Sequence, residues 1–274
     1  LTNYPLRDQN GLTEAAFLRQ YDPDAFERLA VSVDTVVFSI DSRIQTENYR
    51  KLDEQKLTVL LLKRNEHPCL GKWSLPGGFV GEKETLDQAA LRVLRDKTGL
   101  DDVYIEQLYT FGHPQRDPRM RIISVAYLAL IDRSQYQLKN PDSQKITDLA
   151  WYEIDFPKNT PTLRLKWEAA GEMLEVGNSP PPALGSPLAF DHGSLILEGL
   201  LRLRNKIDYT DIVFNLLPGK FTITHLQQIY EIIGGEKLLA PVFRRKIARK
   251  ITPTGEYTQE RGHRPSQLYV YKDS

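Results

Sequence analysis

Leu75-Pro76-Gly77-Gly78-Phe79-Val80-Gly81-Glu82-Lys83-Glu84-Thr85 runs straight into Leu86-Asp87-Gln88-Ala89-Ala90-Leu91-Arg92-Val93-Leu94-Arg95-Asp96-Lys97-Thr98 and then Gly99-Leu100. Two glycines after a proline set a tight turn. Beyond it Leu86, Ala89, Ala90, Val93 and Leu94 recur at helical spacing, which predicts a helix over 85–98 with one buried stripe. Gly99 supplies the stop, because glycine enters the left-handed region without a steric penalty. On either side of this unit lie apolar, β-branched runs at 31–40, 57–62, 103–111, 122–131 and 149–154, which read as strands. Residues 13–29 have helical spacing, and the polar stretches 41–55 and 65–72 read as loops. Strands interleaved with helices in irregular order make this an α/β or α+β domain rather than a bundle.

The chain has 274 residues, 41% apolar and 26% charged, enough for one large or two medium hydrophobic cores. No apolar run is long enough for a membrane span, and no basic-then-apolar leader opens the chain, so the expected location is the cytoplasm, with no membrane partner. The single cysteine, Cys69, rules out an internal disulfide framework and a multi-cysteine zinc site. The net charge of zero hides an asymmetry. Residues 190–274 carry 13 Lys and Arg against 9 Asp and Glu, and residues 1–189 carry 23 against 27. A modest basic excess alone does not identify a nucleic-acid partner; clustering decides.

The clustering lies in the last third. Residues 156–189 contain Pro157, Pro161, Pro180, Pro181, Pro182 and Pro187 around a predicted short helix at 163–176, and read as an insertion or linker. Residues 194–207 form a helix whose apolar stripe, including Ile196, Leu200, Leu203 and Ile207, is broad enough to be buried between domains or between subunits. After a short helix at 210–216, Thr224 with Gln227 fits a capping box. Leu226, Ile229, Tyr230 and Ile233 then give a helical face, stopped by Gly234-Gly235. A second helix starts near Pro241 with Phe243, Ile247 and Ile251 inward and Arg244, Arg245, Lys246, Arg249 and Lys250 on its other sides. Two strands at 251–257 and 267–271, joined through Arg261-Gly262-His263-Arg264-Pro265, complete a winged helix-turn-helix with cations on both groove-facing elements. The expected DNA contacts are Arg244, Arg245, Lys246, Arg249 and Lys250 on the second helix, Thr222, Thr224 and His225 at the start of the first, and Arg261, His263 and Arg264 on the wing.

Gly78, Glu84, Arg92, Gly99 and Leu100 sit on the skeleton of the Nudix motif, so residues 1–189 resemble a Nudix domain with its mixed sheet and motif helix. In that motif carboxylates on one helix face hold Mg²⁺, which neutralises a diphosphate and activates water. The resemblance implies glutamates at 93, 96 and 97, where this chain has Val93, Asp96 and Lys97. A valine offers no oxygen, and a lysine sets a positive charge beside a divalent cation. The expectation is therefore no catalytic residue, no bound metal and no required cofactor, with Arg92 and Lys97 available to phosphate in place of the metal. Leu75 to Phe79, together with Phe111-Gly112-His113-Pro114-Gln115-Arg116-Asp117-Pro118-Arg119, resembles the Nudix branch that handles ADP-ribose. Guanidinium groups there suit bidentate phosphate contacts. The expected effector set is Phe79, Glu84, Arg92, Lys97, Phe111, His113, Arg116, Asp117, Arg119 and Arg121. The competing reading is a Mg²⁺-dependent ADP-ribose or nucleotide-sugar pyrophosphatase that draws metal ligands from Glu82 or Asp117 and uses the winged helix only for association.

With Leu188-Ala189-Phe190-Asp191-His192, residues 200–210, Phe243-Arg244-Arg245-Lys246 and Gly262-His263-Arg264-Pro265, the whole chain resembles the Nudix-related transcriptional regulators of NAD metabolism, the NrtR family. The resemblance implies a Nudix-like sensing domain at 1–189, a connecting helix at 190–207 and a DNA-binding winged helix at 208–274. It further implies a homodimeric repressor of NAD synthesis or salvage genes on a palindromic operator, responsive to ADP-ribose or a related NAD metabolite.

Overall fold

A computed structural model describes residues 7, 9–25, 27–43, 54–136, 146–156, 162–167, 170–177, 186–258 and 265–272. Strands β1 (Ala30–Arg43), β2 (Glu54–Arg64), β3 (Trp73–Ser74), β4 (Gly77–Phe79), β5 (Tyr104–Phe111), β6 (Ile122–Ile131), β7 (Ile146–Asp155), β8 (Thr162–Trp167) and β9 (Glu172–Gly177) form one sheet. The order is β5-β6-β1-β2-β7-β8-β9, with β3 on β2 and β4 on β1. β1 and β6 run parallel while β1 and β2 run antiparallel, so the sheet is mixed. β1 is central and buried on both faces. Val36, Phe38 and Ile40 face one side and Val33 and Val37 the other, which is why apolar residues occupy both alternations of the strand.

One face carries α2 (Leu86–Thr98). Thr85 caps it, in a reciprocal box with Gln88, and Gly99 ends it at φ 74°. Its Ala89, Ala90 and Val93 pack on Val33, Val125 and Tyr127. The opposite face carries α3 (His192–Lys206), with Leu195, Ile196 and Leu200 in the same apolar cluster as Val36, Phe38 and Leu128. Gly199 lets α3 approach closely, since a Cβ there would sit 3.3 Å from Val36 Cγ1. Leu203 and Ile207 carry the cluster onward into a 3-10 turn (Ile212–Leu216), α4 (Ile223–Gly234) and α5 (Ala240–Ile247). The hairpin β10 (Ile251–Tyr257) and β11 (Gln267–Tyr271) completes the winged helix. Of the two burial sites expected for the connecting helix, α3 occupies the first, between the sheet and the winged helix of its own chain.

Four local expectations are corrected. Residues 163–176 are not a helix but the hairpin β8–β9, which extends the sheet beyond β7. Leu163 and Leu165 are buried and Arg164 and Lys166 are not, and Leu174 and Val176 repeat the alternation, so the period is two, not 3.6. Among the described residues of 13–29 there are α1 (Glu14–Gln20) and a 3-10 turn (Pro23–Ala25) in place of one long helix. Pro23 disfavours helical backbone at Asp22 before it. The cap of α4 is Thr222 rather than Thr224, with Thr222 Oγ1 accepting from the His225 amide at 3.1 Å. Phe221 is fixed in an extended bridge to Tyr269, so the helix begins at once behind it. The expected loop at 41–55 is shorter, because β1 runs to Arg43 and β2 starts at Glu54. Pro157, Pro161 and Pro180 to Pro182 lie outside the described residues.

Candidate functional site

A cleft of about 290 Å³ opens where β1, the Pro76–Phe79 turn, the loop after β5 and the start of α3 converge. Of the residues expected from sequence, Phe79, Lys97, Arg116, Asp117 and Arg119 line it. Arg119 lies between two aromatic rings, 5.4 Å from the centroid of Phe79 and 5.9 Å from that of Phe190, with Arg64 on Phe190 at 5.2 Å. Asp117 holds Arg119 through both carboxylate oxygens at 2.8 and 3.0 Å. Cations beside one exposed and one half-buried aromatic ring give the cleft the chemistry for a planar base and an anionic linker. A larger hollow, about 560 Å³, lies on the seam between β5 and the winged helix, but its charged Lys206 and Asp211 are already paired with Glu106 and Lys250.

The cleft floor contains a largely buried ionic cluster. The Arg116 guanidinium donates to Asp191 Oδ1 at 2.7 Å and Oδ2 at 3.0 Å, and lies 3.6 Å from Asp34 Oδ2. Burial works against its charge, and Asp34, Asp191 and Asp117 overcome this, raising its pKa above the usual guanidinium value. Ser124 Oγ donates to Asp34 at 2.5 Å. His192 Nδ1 accepts the Leu75 amide at 2.8 Å, so the neutral ring carries its proton on Nε2, which lies 3.6 Å from Asp34. Burial pushes the His192 pKa down, against the pull of Asp34 and Asp191 and with the push of Arg116 and Arg64. Gly77 is required here, because a Cβ would fall 1.8 Å from Asp34 Oδ1. Asp34, Arg64, Phe190, Asp191 and His192 were missed as site residues from the sequence. Asp34 carried a signal, since a carboxylate inside an apolar buried strand needs a partner.

The remaining expected residues stand around the cleft rather than in its lining. Glu84 accepts from Arg92 at 2.6 and 2.8 Å and from the Gly81 amide at 2.6 Å. Those bonds, Arg92 first, pull its carboxyl down to about 2. Arg92 also donates to the Phe79 carbonyl at 3.0 Å, so the pair braces the loop that presents Phe79. Phe111 packs on Tyr109 at 5.2 Å, His113 Nδ1 accepts the Gln115 amide, and Arg121 donates to the Gly112 carbonyl at 2.6 Å.

A Mg²⁺ ion does not fit the motif positions. Val93 is buried against Gly78, where a Cβ would lie 2.9 Å from Val93 Cγ2, and Lys97 donates to the Gly77 carbonyl. Glu84 is committed to Arg92, and among the described residues no group of three or more acidic, histidine or cysteine side chains converges as an octahedron requires.

In the winged helix, α5 buries Phe243 and Ile247. Lys246 is bound to Asp208 at 2.6 Å and lies over the Tyr230 ring, and Lys250 is bound to Asp211 at 2.7 Å. Arg244, Arg245 and Arg249 are exposed and have no ion-pair partner among the described residues. Thr222 is spent on capping, while Thr224 and His225 follow in the first turn of α4. Arg261, His263 and Arg264 lie outside the described residues.

A mixed sheet with the motif helix on one face, joined by a buried helix to a winged helix-turn-helix, defines a Nudix-fold protein with an attached DNA-binding module. The family model for the NUDIX domain matches residues 50–177, and that for the NrtR DNA-binding winged helix domain matches residues 213–271. The ADPR responsive transcriptional repressor NtrR of Acinetobacter baylyi is 32% identical over 265 residues, 96% of this chain and 90% of that one. Crystalline Shewanella oneidensis NrtR complexed with a 27mer DNA has a TM-score of 0.63 at 33% identity, covering 88% of this chain and 93% of its own. A MutT/nudix family protein from Enterococcus faecalis has a TM-score of 0.73 at 27% identity, covering 95% and 94%. The chain belongs to the NrtR family. No helix among the described residues is long and apolar enough to cross a membrane.

Proposed function

We propose that this chain is a DNA-binding transcriptional repressor whose Nudix cleft binds ADP-ribose, or a related NAD metabolite, as an effector rather than as a substrate. It acts in the cytoplasm as a homodimer on a palindromic operator and controls genes of NAD synthesis or salvage. One observation carries the reading: α3 touches the cleft at one end and the DNA-reading helix's supports at the other. Phe190 and His192, at its start, line the cleft. At its far end Arg204 donates to the Ile233 carbonyl of α4 at 2.8 Å, and the following Asp208 and Asp211 hold Lys246 and Lys250. A ligand that moves the cleft wall therefore moves the recognition helix. Affinity for DNA shifts only to the extent that the ligand binds the two arrangements differently.

Within the cleft, Arg64, Arg119 and Lys97 are assigned to phosphate, Phe79 and Phe190 to the base, and Arg116 to holding α3 rather than the ligand. Glu84, Arg92, Phe111, His113 and Arg121 shape the surrounding loops. Arg244, Arg245 and Arg249 are the groove-reading cations, and Thr224, His225, Arg261, His263 and Arg264 are the further expected DNA contacts. The test is a mobility shift on the DNA upstream of the chain's own gene, titrated with ADP-ribose and with NAD. The expected result is salt-sensitive binding whose affinity changes by about 5-fold to 150-fold with one ligand. Absence of any shift at moderate salt, or Mg²⁺-dependent ADP-ribose turnover abolished by Glu84→Gln, would overturn it in favour of a hydrolase.

A further inference from the structure

The outward side of α5 is not uniformly basic. Phe243 and Ile247 face the core, and the helical positions opposite them are Pro241, Val242 and Arg245, with Ala248 at the C-cap and Arg249 in the turn just beyond. Val242 is 51% exposed, and Leu239, at the N-cap, is 75% exposed. Neither is fully used by the fold. A solvent-facing valine is a poorer helix former than alanine, and a largely exposed leucine recovers little apolar burial. The flanking guanidinium groups of Arg245 and Arg249 select a polyanionic partner over an apolar protein surface, and a winged helix offers this face to the major groove. The apolar feature of that groove is the thymine 5-methyl group.

We propose that Val242, with Leu239 beside it, reads thymine methyl groups, and that this contact sets part of the operator sequence. Arg245 stands three residues along, about 4.5 Å at a rise of about 1.5 Å per residue, on the order of one base-pair step. An arginine there pairs two donors with the O6 and N7 of guanine. Each half-site is then expected to carry a methyl-read T·A pair directly beside a guanine. This rests on the DNA-binding reading above.

The experiment selects duplexes from a random pool with the full-length chain, then replaces each thymine of the selected duplex by uracil, which deletes only the methyl. Affinity is measured for the wild-type chain and for Val242→Ala and Leu239→Ala, over a range of salt. The wild type is expected to lose about 4-fold at one or two positions per half-site, the equivalent of about 0.8 kcal/mol for one buried methyl. Val242→Ala should bind thymine and uracil equally at such a position, with an unchanged salt slope, because no phosphate contact is lost. Circular dichroism should show α5 intact, since alanine favours helix. Uniform tolerance of uracil, or methyl sensitivity retained in both variants, overturns the inference while leaving DNA binding standing. Failure to select any duplex, with no salt-dependent affinity, overturns the DNA-binding reading and this inference with it.

Discussion

Arg116 and Asp191 meet through two hydrogen bonds in a place water does not reach, their side chains 4% and 2% exposed. Such a pair adds little net stability when intact, but removing one member strands the other's charge. Arg116→Met is expected to cost about 3–5 kcal/mol in urea denaturation, and Arg116→Met combined with Asp191→Leu to recover part of that loss. Additive losses in the double variant would refute the pairing. His192 sits in the same cluster with its pKa held below the ordinary 6.5. The folded state keeps the ring neutral while the unfolded chain binds the proton, so this contribution to stability is present above pH 6.5 and is lost as pH falls below it. Between about pH 7 and about pH 5 the thermal midpoint should fall less steeply in His192→Gln than in the wild type, the amide oxygen replacing Nδ1 as acceptor for Leu75. Parallel profiles would show that another group carries the acid sensitivity.

Between α3 and α5 the segment Asp208–Asp211 neutralises two of the five cations that the second helix presents. Lys246 in particular either holds Asp208 or meets a phosphate. Asp208→Asn is expected to tighten DNA binding and to steepen the slope of log K against log salt by about 0.9, the contribution of one newly neutralised phosphate. An unchanged slope would mean that Lys246 never faces the duplex. These pairings were not legible in the sequence, which displayed five cations as one set. Local pattern recovered what local physics determines. The stripe from Leu86 to Leu94 with Gly99 gave α2, and the β-branched run gave β1. It failed at 163–176, where alternating Leu163 and Leu165 compete with helix-compatible spacing over too few residues to separate the two periods. It failed again at the cleft, because Asp34, Arg116 and Asp191 are brought together only by the parallel pairing of β1 with β6 and the docking of α3. No periodicity encodes contacts between residues that far apart.

Two family domains need not fold as one unit, yet the apolar cluster here runs without a break from Val36 and Phe38 through Leu200 and Leu203 to Ile229, Phe243 and Ile251. Stripping the winged helix from α3 would expose Leu203 and Ile207. It would also release Arg204 from the Ile233 carbonyl at 2.8 Å, leaving it the Phe156 carbonyl at the end of β7, 2.7 Å away. Burial already lowers the pKa of that guanidinium, so losing one of its two carbonyl acceptors would be costly. Independent unfolding of either half therefore sacrifices contacts belonging to both. The expectation is a single calorimetric transition whose van't Hoff and calorimetric enthalpies agree. ADP-ribose, at about 100 times its dissociation constant, should stabilise that whole transition by about 2.7 kcal/mol. Arg204→Met should split or broaden the transition and weaken the ligand's effect on the winged-helix part. In a molecule of two independent bodies the wild type would already melt in two steps, with the ligand moving only the step that belongs to residues 50–177. That outcome would remove the physical basis for carrying a signal from cleft to DNA through α3.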